Sequence, residues 1–174
     1  NGTVLINKTG SQSTEILGLT FTSGNQGCNS FVNATTTQYH FVFTNPNGAV
    51  GSIYTSGSTT GFATSSDYRL KENVVPLTGA ANRLNQLQVR RFNFITDPDK
   101  TVDGFIAHEA QAVVPECVTG EKDAVDDHGN PVYQGIDQSK LVPLLTAALQ
   151  EALAKIETRS EEHTSELQSR QYLV

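Results

Sequence analysis

A serine and a lysine in the segment SSDYRLKENV, residues 65–74, are the side chains best suited to covalent chemistry. A serine hydroxyl is a weak nucleophile until a base takes its proton. A lysine can be that base once desolvation or nearby positive charge removes its own proton, and Ser–Lys pairs are known catalytic arrangements. Ser66 and Lys71 are therefore a candidate catalytic dyad. Because this spacing is common by chance, spacing alone favours a helix-capping serine and a surface lysine.

No other pattern in the sequence predicts a reactive site. HEAQA lacks the second histidine of a zinc-protease helix, and the acids of DAVDDHGN fall at the wrong offsets for a calcium loop. The two cysteines, Cys28 and Cys117, are too few and too far apart for a zinc site, and we expect two small, unpaired thiols. We therefore expect no metal site and no bound cofactor.

Charge and hydropathy exclude two classes of partner. The formal net charge of −6 argues against binding to nucleic acid. No apolar run approaches the roughly 20 residues that a membrane helix needs, so we expect no membrane partner. The first residues, NGTVLINKTG, lack the regions of a signal peptide, and we expect a chain that begins within a longer protein.

Charge also divides the sequence into two parts. Residues 1–62 contain one lysine and one acidic residue, whereas residues 63–158 contain nine basic and fourteen acidic residues. The step predicts a boundary near residues 63–66. The runs TVLI, EILGLTF, YHFVF and GSIY, separated by turn-rich segments, predict short strands before it. Such strands bury little core alone, so we expect one strand set of an oligomeric fibre or stem, or otherwise a small independent β domain.

The part after the boundary predicts a mixed α+β fold. PLTGAANRLNQLQ and HEAQAVV have the spacing of helices, VRRFNFI and DGFIA are typical of strands, and DAVDDHGNPVYQGI predicts a hairpin. A long helix follows from about Ser139, which we expect to be its N-cap, and Pro143 is tolerable near its first turn.

That long helix has two neighbouring apolar rows, so it needs two packing partners. One row, Leu141, Leu144 and Ala148, could pack on its own domain. The other steps by three and four residues, as in a coiled-coil seam that faces a symmetry mate. The predicted seam consists of Val142, Leu145, Leu149, Ala152 and Ile156. From spacing alone, an ordinary core helix is nearly as good an interpretation.

Three sequence segments together resemble a known family. They are SSDYRLKENV, GFIAHEAQAVVPE and YQGIDQSKLVPLLTAALQEA, in that order, within residues 65–158. They resemble the endosialidase-type intramolecular chaperone domain, the self-cleaving C-terminal domain of many phage tail fibres and tail spikes. The resemblance implies a homotrimer that guides folding of the upstream β-rich fibre and then cuts itself off, with a serine as nucleophile and a lysine as base.

The resemblance assigns roles to particular residues. Ser66 and Lys71 match the dyad, and Asp67, Arg69 and Leu70 match the rest of the motif. It implies a cut between Ser66 and Asp67. Attack by a serine on its own carbonyl would need a strained four-membered ring, whereas attack on the Ser65 carbonyl needs a five-membered one. The Ser65–Ser66 bond therefore stays open as the alternative, and a hydroxyl or water activated across the trimer would remove the objection.

The end of the sequence does not match a complete member of that family. Residues 159–169, RSEEHTSELQS, equal one translation frame of a common sequencing adapter, residue for residue. We therefore divide the chain into a β-rich tail fibre or stem segment (residues 1–64), an intramolecular chaperone auto-processing domain (65–158) and a translated sequencing adapter (159–174).

The expected protein is a virion tail fibre or spike precursor, assembled in the host cytoplasm, from which the chaperone is released and lost. Two other functions stay open. One is a structural trimerisation module that never cuts itself. The other is a membrane-tethered protein that uses the same domain to release a fragment.

Overall fold

The computed structural model of the chain describes residues 30–171, with side chains to residue 168. The predicted strands TVLI and EILGLTF lie outside the described residues, as does Cys28. The chain forms two compact units, which divide between Asn73 and Val74. Together they have the mixed α+β content predicted from the sequence, with β-sheets and a long C-terminal helix. The functional limits predicted at residues 64 and 158 stay predictions.

The described part of the first unit is an antiparallel sheet of three strands in sequence order. The strands are β1 (Gln38–Asn45), β2 (Gly48–Ser56) and β3 (Thr59–Thr64). The predicted runs YHFVF and GSIY lie in β1 and β2. Gly48 begins β2 with φ of 96°, a left-handed conformation that favours glycine and lets the chain reverse tightly after β1.

Both faces of this sheet present aromatic side chains to solvent. Directly paired residues share a face, which places Phe41, Ile53 and Phe62 on one side of the sheet. Tyr39 and Tyr54 pair on the other side, with ring centroids 5.8 Å apart. Phe62 is 79% exposed, and residues 30–65 contain no lysine, arginine, aspartate or glutamate. The sheet therefore lacks the polar outer face of an independent β domain.

The second unit consists of short elements followed by one long helix. They are α1 (Ala80–Leu84), β4 (Arg90–Phe94), β5 (Asp97–Gly104), α2 (Ala107–Gln111), β6 (Val118–Thr119), β7 (Gly135–Ile136) and α3 (Val142–Gln171). Strand β4 matches the predicted VRRFNFI. Its partner β5 begins before the predicted DGFIA and ends within it, at Gly104, because Phe105 and Ile106 already lead into α2.

The two predicted helices of this unit are shorter than their apolar spacing suggests. α1 begins after Gly79, whose φ is 69°, and its apolar neighbour Leu87 follows the helix in a turn. α2 ends at Gln111, before Pro115 opens a 3₁₀ turn. The predicted hairpin is a loose one, in which β6 pairs with β7 and a single bridge joins Val125 to Pro131 around the tip.

The start of α3 corrects one prediction. A 3₁₀ turn, Gln138–Leu141, precedes the helix, and its N-cap is Asp137, not Ser139. The Asp137 carboxylate accepts both the backbone N–H and the hydroxyl of Ser139, at 3.0 and 2.6 Å. A charged carboxylate is the stronger acceptor, so the serine becomes a donor to the cap. Pro143 lies in the first turn of α3, where its missing N–H has no partner to lose.

The core of the second unit forms where α1 packs on α3, and where the 3₁₀ turn after α2 packs on the 3₁₀ turn before α3. Its buried residues are Ala80, Ala110, Val114, Cys117, Leu141, Leu144 and Ala148. Glu151 fastens α3 to α1, since its carboxylate accepts the backbone N–H groups of Ala80 and Ala81 at 2.8 and 2.9 Å. The hydrogen bond from the Ala81 N–H is the main reason that the pKa of Glu151 is lowered, and the bond from Ala80 adds to it.

The two apolar rows of α3 have different surroundings. The row of Leu141, Leu144 and Ala148 is buried in the chain's own core, as predicted for the row that packs on its own domain. All five residues of the predicted seam, Val142, Leu145, Leu149, Ala152 and Ile156, are exposed. Leu153 is exposed beside them. Residues 159–168 continue α3 and are exposed as well.

This division predicts opposite behaviour for two leucines five residues apart. Leu144 is 2% exposed and Leu149 is 61% exposed. In dilute, unassembled protein, Leu144→Ala should lower the free energy of unfolding by about 2–5 kcal/mol, because it leaves a cavity. Leu149→Ala should change it by less than roughly 0.5 kcal/mol. Urea denaturation followed by circular dichroism measures both, and equal losses would contradict the packing of α3.

Candidate functional site

Ser66 and Lys71 are in direct contact. The Lys71 Nζ donates a hydrogen bond to the Ser66 Oγ at 2.8 Å. Both side chains are exposed to solvent, and both come from the same chain. The structure therefore brings together the two residues that the sequence singled out as a candidate dyad.

A short turn creates this contact. The chain leaves Ser66 through Asp67 and makes a 3₁₀ turn, Tyr68–Leu70, which ends at Lys71. The Leu70 N–H donates to the Asp67 carbonyl at 3.1 Å, and the Lys71 N–H donates to the Tyr68 carbonyl at 3.0 Å. A 3₁₀ turn has three residues, so one turn returns the chain towards its starting point. Lys71 can then reach back to Ser66.

Asp67 caps this turn, a role that spacing alone favoured for Ser66. Its Oδ1 accepts the Arg69 backbone N–H at 2.9 Å. The Arg69 guanidinium donates to both carboxylate oxygens, from Nε at 2.9 Å and from Nη2 at 2.8 Å. The side-chain hydrogen bond from Arg69 is the main reason that the pKa of Asp67 is lowered. Asp67 therefore stays a carboxylate well into the acidic range.

On the other side of Ser66, the chain is fixed to the sheet. The Ser65 N–H donates to the Val50 carbonyl at 3.1 Å, which continues the β2–β3 ladder by one residue. The Ser65 hydroxyl donates to the Ala49 carbonyl at 3.0 Å. This second serine thus holds the chain in place at the end of β3, while Ser66 turns to Lys71.

The geometry suits proton transfer between a serine and a lysine. A 2.8 Å separation of Oγ and Nζ is the distance of a good hydrogen bond, in either direction. A general base must be neutral, so that it accepts the hydroxyl proton instead of donating one. Water stabilises an ammonium group, and a lysine becomes a base when water is excluded from it. In the single chain the pair is assembled but exposed.

Other chemistry receives no support from the described residues. Between residues 30 and 168, no group of three or more His, Cys, Asp or Glu side chains is arranged to hold a metal ion. No helix in the described part of the chain is long and apolar enough to cross a membrane. The Cys117 thiol is unpaired and buried, and desolvation raises its pKa, which makes it a poor nucleophile.

Comparison with known families gives a match for the segment that contains this site. Residues 66–119 match the family model described as chaperone of endosialidase. This segment is therefore similar to the endosialidase chaperones. The match begins at Ser66 and spans Lys71, α1, β4, β5 and α2. It confirms the resemblance inferred from the sequence, and the family's name is that of a serine-type peptidase. No curated protein matches the chain.

The matched segment is shorter than the resemblance predicted from the sequence. It ends at Thr119, whereas the quoted similarities continue to about residue 158. The hairpin and α3 lie beyond it. The predicted roles of Ser66, Lys71 and the α3 seam stay predictions.

Two features of the site were missed from the sequence. Asp67 and Arg69 were recognised as parts of the motif, but not as an ion pair that closes the turn. An acidic residue two positions before an arginine was the available signal, and it is a weak one outside a regular helix. The anchoring of Ser65 to β2 depends on strand register, which the sequence did not specify.

Proposed function

We propose that residues 65–158 are an intramolecular chaperone that forms a homotrimer, assists folding of the upstream β-rich segment, and releases itself by serine-dependent cleavage at Ser66. The observation that carries this proposal is the Ser66–Lys71 hydrogen bond, formed one residue after the uncharged sheet is anchored by Ser65. The pair lies in a segment that matches a chaperone family. Such an enzyme is a serine peptidase of one turnover, without cofactor or metal.

The upstream segment has the properties of a folding client. Its described sheet exposes aromatic residues on both faces, among them Phe62 on one face and Tyr39 on the other. Strands that are rich in glycine and bury neither face specify their register weakly, and non-local pairing of strands is slow. Copies held side by side would cover both faces and fix the register. The client is therefore the segment of residues 1–64, as part of a fibre or spike.

The α3 helix supplies the surface on which three copies would meet. Its exposed row has coiled-coil spacing, and its other row is already buried in the chain's own core. The trimer would thus add contacts to α3 without unpacking the domain. The same assembly would bring three junctions together and reduce the access of water to Lys71.

The proposed reaction begins with a neutral Lys71. Its Nζ accepts the proton of the Ser66 hydroxyl, and the oxygen attacks a carbonyl carbon. Attack on the Ser65 carbonyl breaks the bond to the Ser66 nitrogen, which takes up the proton and leaves an ester. Water then hydrolyses the ester and restores the hydroxyl. This route uses a five-membered ring and releases a fragment that begins with Ser66.

Cleavage of the Ser66–Asp67 bond, the first choice from the family resemblance, needs a different attacker. Either the Ser66 hydroxyl of a neighbouring copy or a water molecule activated by Lys71 attacks the Ser66 carbonyl carbon. The bond to the Asp67 nitrogen breaks, and that nitrogen takes up the proton. If the attacker was a hydroxyl, the Ser66 acyl group is left as an ester on the neighbouring copy, and water then hydrolyses it. The released fragment then begins with Asp67, so its intact mass distinguishes the two routes.

This function places the protein in a bacteriophage tail fibre or tail spike, assembled in the host cytoplasm. The released chaperone would not remain in the virion. A trimerisation module that never cleaves itself would have the same exposed α3 row, but it would give a single, uncut chain.

The dyad predicts three failures of cleavage. Ser66→Ala removes the nucleophile, and Lys71→Ala removes the base. Lys71→Arg should fail too, since a guanidinium does not give up its proton in proteins. All three variants should still form trimers, because assembly depends on burial of apolar surface. Intact mass and size-exclusion chromatography after folding measure cleavage and assembly separately.

Two results would refute parts of the dyad assignment. Normal cleavage of Ser66→Ala would exclude Ser66 as nucleophile. Efficient cleavage of Lys71→Arg would exclude Lys71 as base. An uncut wild type that forms trimers would instead support the purely structural module.

The seam predicts the effect of one added charge on assembly. Leu145→Asp and Leu149→Asp should each abolish the trimer, because they would bury an unpaired carboxylate at the interface. Gln150→Asp is the matched control, since it adds the same charge to an exposed, neighbouring position of α3 outside the seam. Light scattering gives the molar mass of each. A trimeric mass for both leucine variants would be evidence against this interface.

A further inference from the structure

Ser66 lies between two neighbours that are fixed by hydrogen bonds. Upstream, Ser65 is attached to β2 through its backbone and its hydroxyl. Downstream, Asp67 caps the 3₁₀ turn and is held by the Arg69 fork. Ser66 is thus the link between two anchored residues, and its side chain turns towards Lys71.

Lys71 needs such help more than a buried base would. A lysine side chain loses up to about 2 kcal/mol of conformational free energy when it is held in one rotamer. Lys71 is exposed, so no packed neighbour holds its side chain against Ser66. The contact depends on where the backbone of the turn places the Lys71 Cα. That backbone is set by the Asp67 cap, because the same carboxylate accepts the N–H of Arg69 and the two guanidinium hydrogen bonds.

We infer that Asp67 and Arg69 are positioning residues for self-cleavage, which hold Lys71 within proton-transfer distance of Ser66. This inference rests on the proposed function. Neither side chain touches the reacting atoms: the Asp67 carboxylate closes the turn, and Arg69 fixes that carboxylate in the capping orientation. Their removal should lengthen the time that Lys71 spends away from Ser66.

An ordinary surface ion pair is the competing explanation, and it makes a different prediction. Exposed ion pairs contribute little to stability, so loss of one should change neither folding nor cleavage. The same molecule provides a matched example. Arg91 and Asp103 form an exposed fork of the same kind across β4 and β5, at 2.7 and 3.0 Å, within the second unit.

The experiment compares cleavage rates within the trimer fraction of the full chain. Asp67→Ala should slow cleavage by about tenfold to a hundredfold, since small displacements of a catalytic group have effects of this size. Asp67→Asn keeps an oxygen that can cap the turn, so its cleavage rate should fall less than that of Asp67→Ala. Arg69→Lys keeps the positive charge but cannot form the two-pronged hydrogen bond. Its cleavage rate should lie between those of Asp67→Ala and the wild type. Asp103→Ala, the matched control, should cleave at the wild-type rate.

The pH dependence separates positioning from proton transfer. If Arg69 acts only by positioning, Arg69→Lys, which keeps the charges of the turn, lowers the maximal rate and leaves the pH midpoint of cleavage unchanged. A shifted midpoint would overturn the positioning role. So would failure of Asp67→Ala to assemble, because the cap would then be needed for folding.

The outcome also distinguishes this inference from the proposed function. Cleavage of Asp67→Ala at the wild-type rate, with Ser66→Ala and Lys71→Ala uncut, would overturn the inference and leave the function standing. Cleavage of both dyad variants would overturn the proposed function itself.

Discussion

Apolar surface that one copy of the chain leaves uncovered is the constraint on which this structure depends. The sheet of the first unit has aromatic side chains on both faces and no charged residue to keep either face in water. In the second unit, α3 buries one apolar row and exposes the other. Hydrophobic burial is the dominant favourable term in folding and association, so both surfaces favour contact with further copies.

The same constraint links assembly to chemistry. Ser66 and Lys71 are already within hydrogen-bond distance in one chain, but in contact with solvent. The proposed mechanism also needs the exclusion of water from this pair. A trimer would supply it at the moment when the client strands have paired. Early cleavage, before folding is complete, would be avoided by the chemistry of the base, without a separate regulatory element.

Sequence reasoning was most successful where a pattern has a single physical meaning. The 3.6-residue period of α3 separated Leu144 from Leu149 before either was located, because helix geometry places the two rows at fixed angles. The run YHFVF identified β1, because aromatic and β-branched residues favour strands. The Ser66–Lys71 contact followed from a short motif, although the motif alone did not reveal the turn that creates it.

Errors came from competition between local groups and from tertiary contacts. Ser139 was expected to cap α3, but a 3₁₀ turn precedes that helix, and Asp137 caps the turn and accepts the N–H of Ser139. α1 stops at Leu84 although apolar residues continue to Leu87, because a turn follows the helix. The Asp67–Arg69 fork and the Ser65 anchor depend on the path of the backbone, which single-residue patterns do not encode.

The most direct test of the account is the dependence of cleavage on assembly. Wild-type chain is refolded over a wide range of concentrations beside Leu149→Asp, and native mass spectrometry follows trimer and cleaved fragment in time. We expect fragments to appear only after trimers, to increase with concentration, and to be absent from the Leu149→Asp variant. Cleavage of monomeric chain at a rate independent of concentration would contradict the account, since the dyad would then act without a partner.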